Sequence, residues 1–511
     1  MFKQILKKTF TIGTATFISR IFGFIRDILI AFFFGTTPAA QAFVVSFRLP
    51  NIWRSFVGEE AVNAAIVPVL SEYSARQDLD AFWKISLSLL KFSFLFLFLL
   101  ALAGVALAPL LVKIIAPGFS TDLSKYELCV RLTRFIFPYI FLIGLTAMTA
   151  GIVISRKIFW SYSWAPAVLN ISIISSLLIL NKRFGIYALA VGIIIGGILE
   201  LILQFLAFKK ARPRKIKSSL IHPEFRRISK LLIPRFCGAG VYQINIFVDT
   251  ILASLETVVG SGGIAALYYA QRFVQLPLAV FATSLATAVL PFFSAHSANK
   301  TIDKMGENLL SSLRFVSFIM IPAAFGFIVL GKEIIETVFQ YGRFSAYSTA
   351  ITSQALKFYA LGLVFYAGIK ILVATFYSLQ DTLTPVKISL ISLFVNIGLS
   401  VMLMFPMKLS GLCLATSIAA ACNFSLLWRA LKKKMPLHSS AIFKPVLKTV
   451  IAAFLMSGIL ILLKSWITTK IEAQVLNLSI LLIAGVISYL LIAAAFGLKE
   501  AKSLLRWKRI K

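Results

Sequence analysis

"VPVLSEYSA", residues 67–75, returns as "LPFFSAHSA" at residues 290–298. The offset is about 223 residues, the mark of an internal repeat. At the same offset "RFIF" (134–137) meets "KFYA" (357–360), and "KK" at 209–210 meets "KK" at 432–433. Arg20 then corresponds to Gln243 and Arg26 to Asp249. Pro166 and Pro385 fit this register only with a short insertion.

What repeats is apolar. Of 511 residues, 59% are hydrophobic, and the mean hydropathy is +0.90. Apolar runs of about 20 residues recur along the chain, which is the length needed to cross a bilayer as a helix. A β-barrel would instead show alternation over segments of about ten residues, and none is seen. The sequence therefore reads as an all-α polytopic membrane protein. About fourteen transmembrane helices are expected, near 9–34, 41–72, 86–116, 128–153, 158–180, 186–208, 229–253, 264–295, 309–330, 350–377, 384–405, 409–430, 443–463 and 475–497. In the second, Pro50 and the "GEE" at 58–60 suggest a break or hinge. "MFKQILKKTF" leads into a run too long and too charged for a signal peptide, so it reads as a retained first helix.

The repeat and the spans together define the expected domains. They are an N-lobe at 1–210 (helices 1–6), a basic linker at 211–228, a C-lobe at 229–433 (helices 7–12), a helix pair at 434–498 and a basic tail at 499–511. Two pseudo-symmetric six-helix lobes in parallel repeat, with a C-terminal helix pair, are transporter architecture.

The net charge of +33 would point to nucleic acid in a soluble protein. Its placement excludes that. Roughly 30 Lys and Arg fall on one side of the spans against roughly 8 on the other, a bias that puts both termini in the cytoplasm. "NKRFG" (181–185) is an exception. No connector exceeds about 20 residues, which leaves no room for a soluble catalytic domain. There is no GxxxxGK[ST], HExxH or triad signature. Cys129, Cys237, Cys413 and Cys422 form no CxxC pair, and His222, His296 and His438 fall in connectors, so no metal is predicted.

"SRIFGFIRD" (19–27) places Arg20, Arg26 and Asp27 inside the first apolar run. A charge at the centre of a spanning helix costs roughly 2.5–3.5 kcal/mol, so such residues face a partner or a watery cavity. Arg48, Arg54, Glu59 and Glu60 follow in the first half, and Asp249, Arg272, Lys357 and Lys370 in the second. Arg20 and Asp27 share a helix face, with Arg26 beside it. Acids are too few to neutralise the arginines, and several arginines around one cavity suit an anionic ligand such as phosphate. Asp249, with oxygens from Asn396 and Thr416, offers a site for Na⁺ or H⁺ coupling. A salt bridge from Asp249 to a cavity arginine is the competing reading.

"SRIFGFIRD", "FRLPNIWRSFVGEEAVNAAIVPVLSEY" (47–73), "LYYAQRFVQLP" (267–277), "FQYGRF" (339–344) and "FYSLQDTLTPVK" (376–387), in that order, resemble the MurJ (MviN) family. These are bacterial inner-membrane lipid II flippases of the multidrug/oligosaccharidyl-lipid/polysaccharide exporter superfamily. The resemblance implies two six-helix lobes plus two helices, whose last pair forms a groove for the polyprenyl tail. It implies that Arg20, Arg26, Arg54 and Arg272 line a central cavity, with Asp27, Arg48 and Glu59 as further candidate substrate contacts. The family's "DAF" reads "QAF" at Gln41, its "EGA" reads "EEA" at Glu60, and the acid before the eighth-helix arginine is Gln271. Those departures touch acids and leave the arginines in place.

The implied function is export of lipid II, the undecaprenyl-diphosphate peptidoglycan precursor, by alternating access. It is a transporter and not an enzyme, and it uses no cofactor beyond a coupling ion. Membrane lipids and other cell-wall synthesis proteins are the further candidate partners, with no nucleic acid. The alternatives are another polyprenyl-diphosphate-linked oligosaccharide as cargo, or a membrane-embedded polyprenyl-phosphate enzyme. The enzyme would need acids or histidines clustered at one membrane face.

Overall fold

Hydrocarbon offers the backbone no hydrogen-bond partner, so a spanning segment must satisfy its own N–H and C=O groups. Every regular element among the described residues is accordingly helical. The computed structural model describes residues 2–54, 62, 65–211, 216–437, 440–467 and 473–501, with side chains from residue 13 onward except at 233–239, 440 and 441.

The chain divides into two units, Met1–Leu255 and Glu256–Lys511. The first holds α1 (Phe2–Phe34), α2 (Pro38–Arg54), α3 (Val67–Ala75), α4 (Leu79–Ala106), α5 (Ala108–Ile115), a 3-10 turn (Pro117–Thr121), α6 (Leu123–Ile136), α7 (Tyr139–Ser155), α8 (Trp160–Phe184), α9 (Tyr187–Lys210) and α10 (Glu224–Ser254). The second holds α11 (Glu256–Val259), α12 (Gly263–Pro277), a π-helical stretch (Leu278–Thr283), α13 (Ser284–Ala298), α14 (Ile302–Phe339), α15 (Ala346–Leu361), α16 (Leu363–Ser378), α17 (Leu383–Met407), α18 (Leu409–Lys432), α19 (Ser440–Ile467) and α20 (Gln474–Ala495).

The repeat is written in the backbone. Gln77 and Lys300, Lys157 and Gln380, and Gly185 and Lys408 all adopt positive φ, and the members of each pair lie 223 residues apart. Asp122 caps α6 by accepting from Lys125 N at 3.1 Å, and Ser345, at the same offset, caps α15 by accepting from Ser348 N at 3.2 Å. Register is therefore kept through Pro166 and Pro385 without the insertion that aligning those prolines required. Packing repeats as well. α8 on α9, α7 on α9, α4 on α7 and α2 on α6 recur as α17 on α18, α16 on α18, α14 on α16 and α12 on α15.

One boundary differs from the expected lobes. The second lobe was expected to begin at residue 229, but α10 belongs to the first unit. It packs on α5 and the 3-10 turn, where Gly118 N donates to Ser254 Oγ at 3.0 Å. Its start is tied down by Arg227, which reaches Glu72 at 2.7 Å, and by Tyr73, which donates to Glu224 at 2.9 Å. Pro50 also fails to break its helix. α2 runs through it to Arg54, and a spanning helix tolerates the missing N–H where neighbouring helices cover the gap. Ser46 on the preceding turn bonds the Cys129 carbonyl of α6 at 3.0 Å. The "GEE" at 58–60 lies outside the described residues.

Ten helices among the described residues are long and apolar enough to span a membrane, and α15 with α16, bent by 46°, would make an eleventh. α1 (33 residues) and α10 (31 residues) are long helices that carry Arg20, Arg26 and Asp27, and Asp249, respectively. The distribution of polarity is that of a protein in lipid. In α4, Ser86 and Ser88 are fully buried while Phe94 is 53% and Leu99 55% exposed. α8 and α9 approach closely because α9 presents glycine. A Cβ at Gly192 would lie 2.7 Å from the Ile173 Cα, and one at Gly196 would lie 2.7 Å from Leu169 Cδ1. Small residues at such contacts are how helices associate without a hydrophobic driving force.

Gly192→Leu is expected to destabilise the protein by about 1–3 kcal/mol, the usual cost of overpacking. Thermal unfolding in detergent checks this against Gly398→Ala, where a new Cβ meets nothing within 4 Å. A second expectation concerns Asp381, in the turn between α16 and α17. It accepts from Thr384 N at 3.0 Å, Thr384 Oγ1 at 2.7 Å and Lys434 beyond α18. Burial alone would raise its pKa, but the bonds from Lys434 and Thr384 outweigh that and bring it down to about 2. Its stabilisation is complete above the unfolded carboxylate value of about 3.9 and is lost as pH falls toward about 2. Asp381→Asn should therefore melt lower at pH 7 and lose less between pH 5 and pH 2.5 than the parent.

Candidate functional site

A guanidinium in an apolar helix must find acceptors, and the structure names them. Arg26 donates from Nε and Nη2 to Asp27 Oδ1 at 3.1 and 2.8 Å, and from Nη1 to Asn170 Oδ1 at 2.9 Å. Asn170 returns its amide to the Ser19 carbonyl at 3.2 Å. One α8 side chain thus fixes both the backbone of α1 and the arginine. Arg26 was expected to outnumber its acids, yet it is held by the carboxylate next to it. Arg20 is exposed.

Arg48 donates to the Ile246 carbonyl at 3.2 Å and to the Thr250 hydroxyl, both on α10. Asp249, on the same stretch of α10, is 3% exposed. Its Oδ2 accepts from Asn245 at 3.5 Å, and its Oδ1 has no hydrogen-bond partner among the described residues. Arg48 lies within electrostatic reach of it.

Arg54 is the last described residue of α2, and its Nε donates to Asn51 Oδ1, one turn earlier, at 3.1 Å. It makes no ion pair among the described residues. The nearby acid is Glu200 of α9, 2% exposed, whose Oε2 accepts from Tyr139 Oη at 3.4 Å. Neither Glu200 nor Asn170 was singled out from the sequence. Glu200 carries the signal that found Asp27, a lone acid in an apolar helix. Asn170 carries no such signal, because an amide in a run of Ser, Ile and Leu looks like any packed polar residue. Glu59 lies outside the described residues.

In the second unit the Arg272 guanidinium lies over the Tyr268 ring, 4.4 Å from its centroid, a cation–π contact. Gln271 donates to Tyr359 Oη at 3.3 Å. Asn396 and Thr416 come together as expected, with Asn396 Nδ2 donating to Thr416 Oγ1 at 3.2 Å and Ser400 donating to Asn396 Oδ1 at 2.9 Å. Asp249 belongs to the other unit. No group of three His, Cys, Asp or Glu side chains that could hold a metal occurs among the described residues.

The second unit also contains an apolar cavity of about 380 Å³. Leu313, Phe325, Phe365, Phe424 and Val446 line it, from α14, α16, α18 and α19. α19 supplies one wall, and α20 contributes no lining residue.

Residues 30–482 match the family model described as lipid II flippase MurJ. A probable lipid II flippase MurJ of Buchnera aphidicola subsp. Schizaphis graminum is 31% identical over 97% of this chain and 98% of its own. A solved lipid II flippase MurJ, in an inward closed conformation, superposes with a TM-score of 0.81 at 28% identity, covering 95% of this chain and 98% of that one. An inward-facing multidrug resistance MATE transporter of the MOP superfamily shares the fold, with a TM-score of 0.65 at 14% identity over 81% of this chain and 96% of that one. Helical units repeated at one offset, arginines held inside apolar helices and a match over most of the chain place this protein in the lipid II flippase MurJ family.

Proposed function

We propose that this protein flips lipid II from the cytoplasmic to the outer leaflet of the bacterial inner membrane. It does so as a transporter, by alternating access of an arginine-lined cavity. Family membership over residues 30–482 supports the reading, together with an Arg54 that an amide, and no described carboxylate, holds in place. Such a guanidinium keeps donors for an incoming anion. The diphosphate of lipid II, with two anionic phosphates, matches the planar fork of arginine.

The proposed roles follow from each residue's resident partners. Arg54 binds the diphosphate, since an amide holds it more weakly than a carboxylate would, and Arg272, set over the Tyr268 ring, adds a second cation. Arg26, pre-positioned by Asp27 and Asn170, contributes a fixed positive edge, and Arg20 and Arg48 flank it. Glu59 completes the proposed contacts. The apolar cavity beside α19 takes part of the polyprenyl tail. Asp249, or the Asn396–Thr416–Ser400 oxygens, serve a coupling Na⁺ or H⁺. The chain crosses the membrane fourteen times, with both termini cytoplasmic.

Native mass spectrometry of the purified protein with lipid II tests the binding. Arg54→Ala and Arg272→Ala should each weaken lipid II binding about tenfold or more, the loss of a charge-assisted contact. Arg26→Ala should do the same, and a neutral lipid-linked sugar should not compete. Arginine-independent binding would reject this site, and equal capture of another polyprenyl-diphosphate oligosaccharide would widen the cargo. For topology, Phe2→Cys and Lys511→Cys in a background without the native cysteines should resist a membrane-impermeant maleimide in intact cells. Both should react after permeabilisation.

A further inference from the structure

The arginine site has a buried neighbour with no assigned work. Glu200 lies midway along α9, where it is the only acid. It is 2% exposed, and its one hydrogen bond among the described residues is the 3.4 Å contact from Tyr139 Oη. One turn further along, Gln204 is fully buried. Its carbonyl accepts from Ser161 at 2.9 Å, and its Nε2 has no hydrogen-bond partner among the described residues. A charged carboxylate held by one long bond in a dry interior is costly unless a cation offsets it.

The surrounding charges are few. α9 packs on α8, α7 and α6. From α7 the only titratable group is Tyr139. α8 presents Ser161 and carries its charges, Lys182 and Arg183, exposed in its last turn. On α6, Arg131 pairs with Glu127, Arg134 is exposed, and Lys125 sits over the Phe119 ring. Arg54 of α2 is the cation within electrostatic reach of Glu200, and Trp53 and Leu201, the chain neighbours of Arg54 and Glu200, pack against one apolar cluster with Phe137 and Ile140.

We infer that Glu200 is a proton-binding positioning residue that competes with the substrate's diphosphate for Arg54. This rests on the reading that Arg54 binds that diphosphate. When Glu200 is charged, Arg54 balances it from a distance without pairing, and an arriving diphosphate must share a cation already in use. When Glu200 takes up a proton, Arg54 is released to the diphosphate and the interior loses an uncompensated charge. Proton uptake and substrate binding therefore assist one another, and linkage makes the assistance reciprocal. A protonated Glu200 donates in turn, and Tyr139 then serves as its acceptor.

The test is equilibrium binding of lipid II to the full-length protein in nanodiscs at pH 5.5 and 8.5. Both phosphates of lipid II are esterified, so the charge of the diphosphate stays constant over that range. Wild type should bind about tenfold tighter at pH 5.5, a typical coupling between two sites. Glu200→Gln, permanently neutral, should bind at both pH values as tightly as wild type does at pH 5.5. Glu200→Asp should keep a pH dependence. Tyr139→Phe, which deletes the hydrogen bond but keeps the ring, should shift the midpoint of the binding profile to higher pH. That variant decides the matter if Glu200→Gln proves unstable. A Glu200→Gln protein with wild-type affinity and wild-type pH dependence, or weaker binding at both pH values, overturns the inference, as does an unmoved Tyr139→Phe midpoint. Arg54→Ala is the separate control. If it binds lipid II like wild type, the diphosphate reading itself fails. If it loses binding while Glu200→Gln changes nothing, only the role of Glu200 fails.

Discussion

Hydrocarbon cannot donate or accept a hydrogen bond, and this one property of the solvent orders the whole chain. It makes the regular elements helical and turns serines inward and phenylalanines outward on α4. It also makes every charge within a helix an event that needs a partner. The Arg26–Asp27–Asn170 arrangement is the clearest case. Three side chains from two helices meet so that a guanidinium has its acceptors and the carboxylate its donors. Because Asn170 also bonds the Ser19 carbonyl, the helix that carries the arginine is positioned by the same contact that neutralises it. Placement of α1 against α8 and preparation of the site are therefore one interaction.

The same constraint separates what the amino-acid sequence reveals from what it hides. Apolar runs, the repeat and intramembrane arginines are local patterns, so they could be read directly. The offset of 223 residues reappears in the positive-φ pairs at 77 and 300, 157 and 380, and 185 and 408. Those positions end helices in the same way in both halves. What stayed hidden depends on which helices meet. α10 matches α1 in sequence order, yet it packs with the first unit through Ser254, Arg227 and Glu224. Side-chain reach across helices decided that, and a periodicity carries no record of reach.

The arginines show the limit at finer scale. Counting acids suggested that Arg26 and Arg54 are alike, two cations in excess of carboxylates. Geometry separates them. Arg26 donates three hydrogen bonds to Asp27 and Asn170, whereas Arg54 has an amide within its own helix. An ion pair already formed must break to accept a ligand, and a guanidinium bound to an amide exchanges a weaker bond. Equal residue types in equal surroundings thus carry unequal chemistry, set by which neighbour arrives first.

Repetition sharpens this point, because the two halves have diverged where chemistry would be expected and have kept what folding needs. Caps persist as Asp122 and Ser345, and the close α8–α9 contact through Gly192 and Gly196 persists in α18 as the buried small residues Ala415 and Ala419. Several charged positions within the helices do not persist. At the repeat offset Arg20 meets Gln243, Arg26 meets Asp249, and Glu200 meets Asn423. Backbone geometry tolerates only a few residue types at a cap or a helix contact, so both copies hold them. A cavity wall accepts any side chain whose charge is balanced, so one copy could become cationic while the other did not. The difference in charge between the halves is therefore carried by side chains on helices that follow the same repeat.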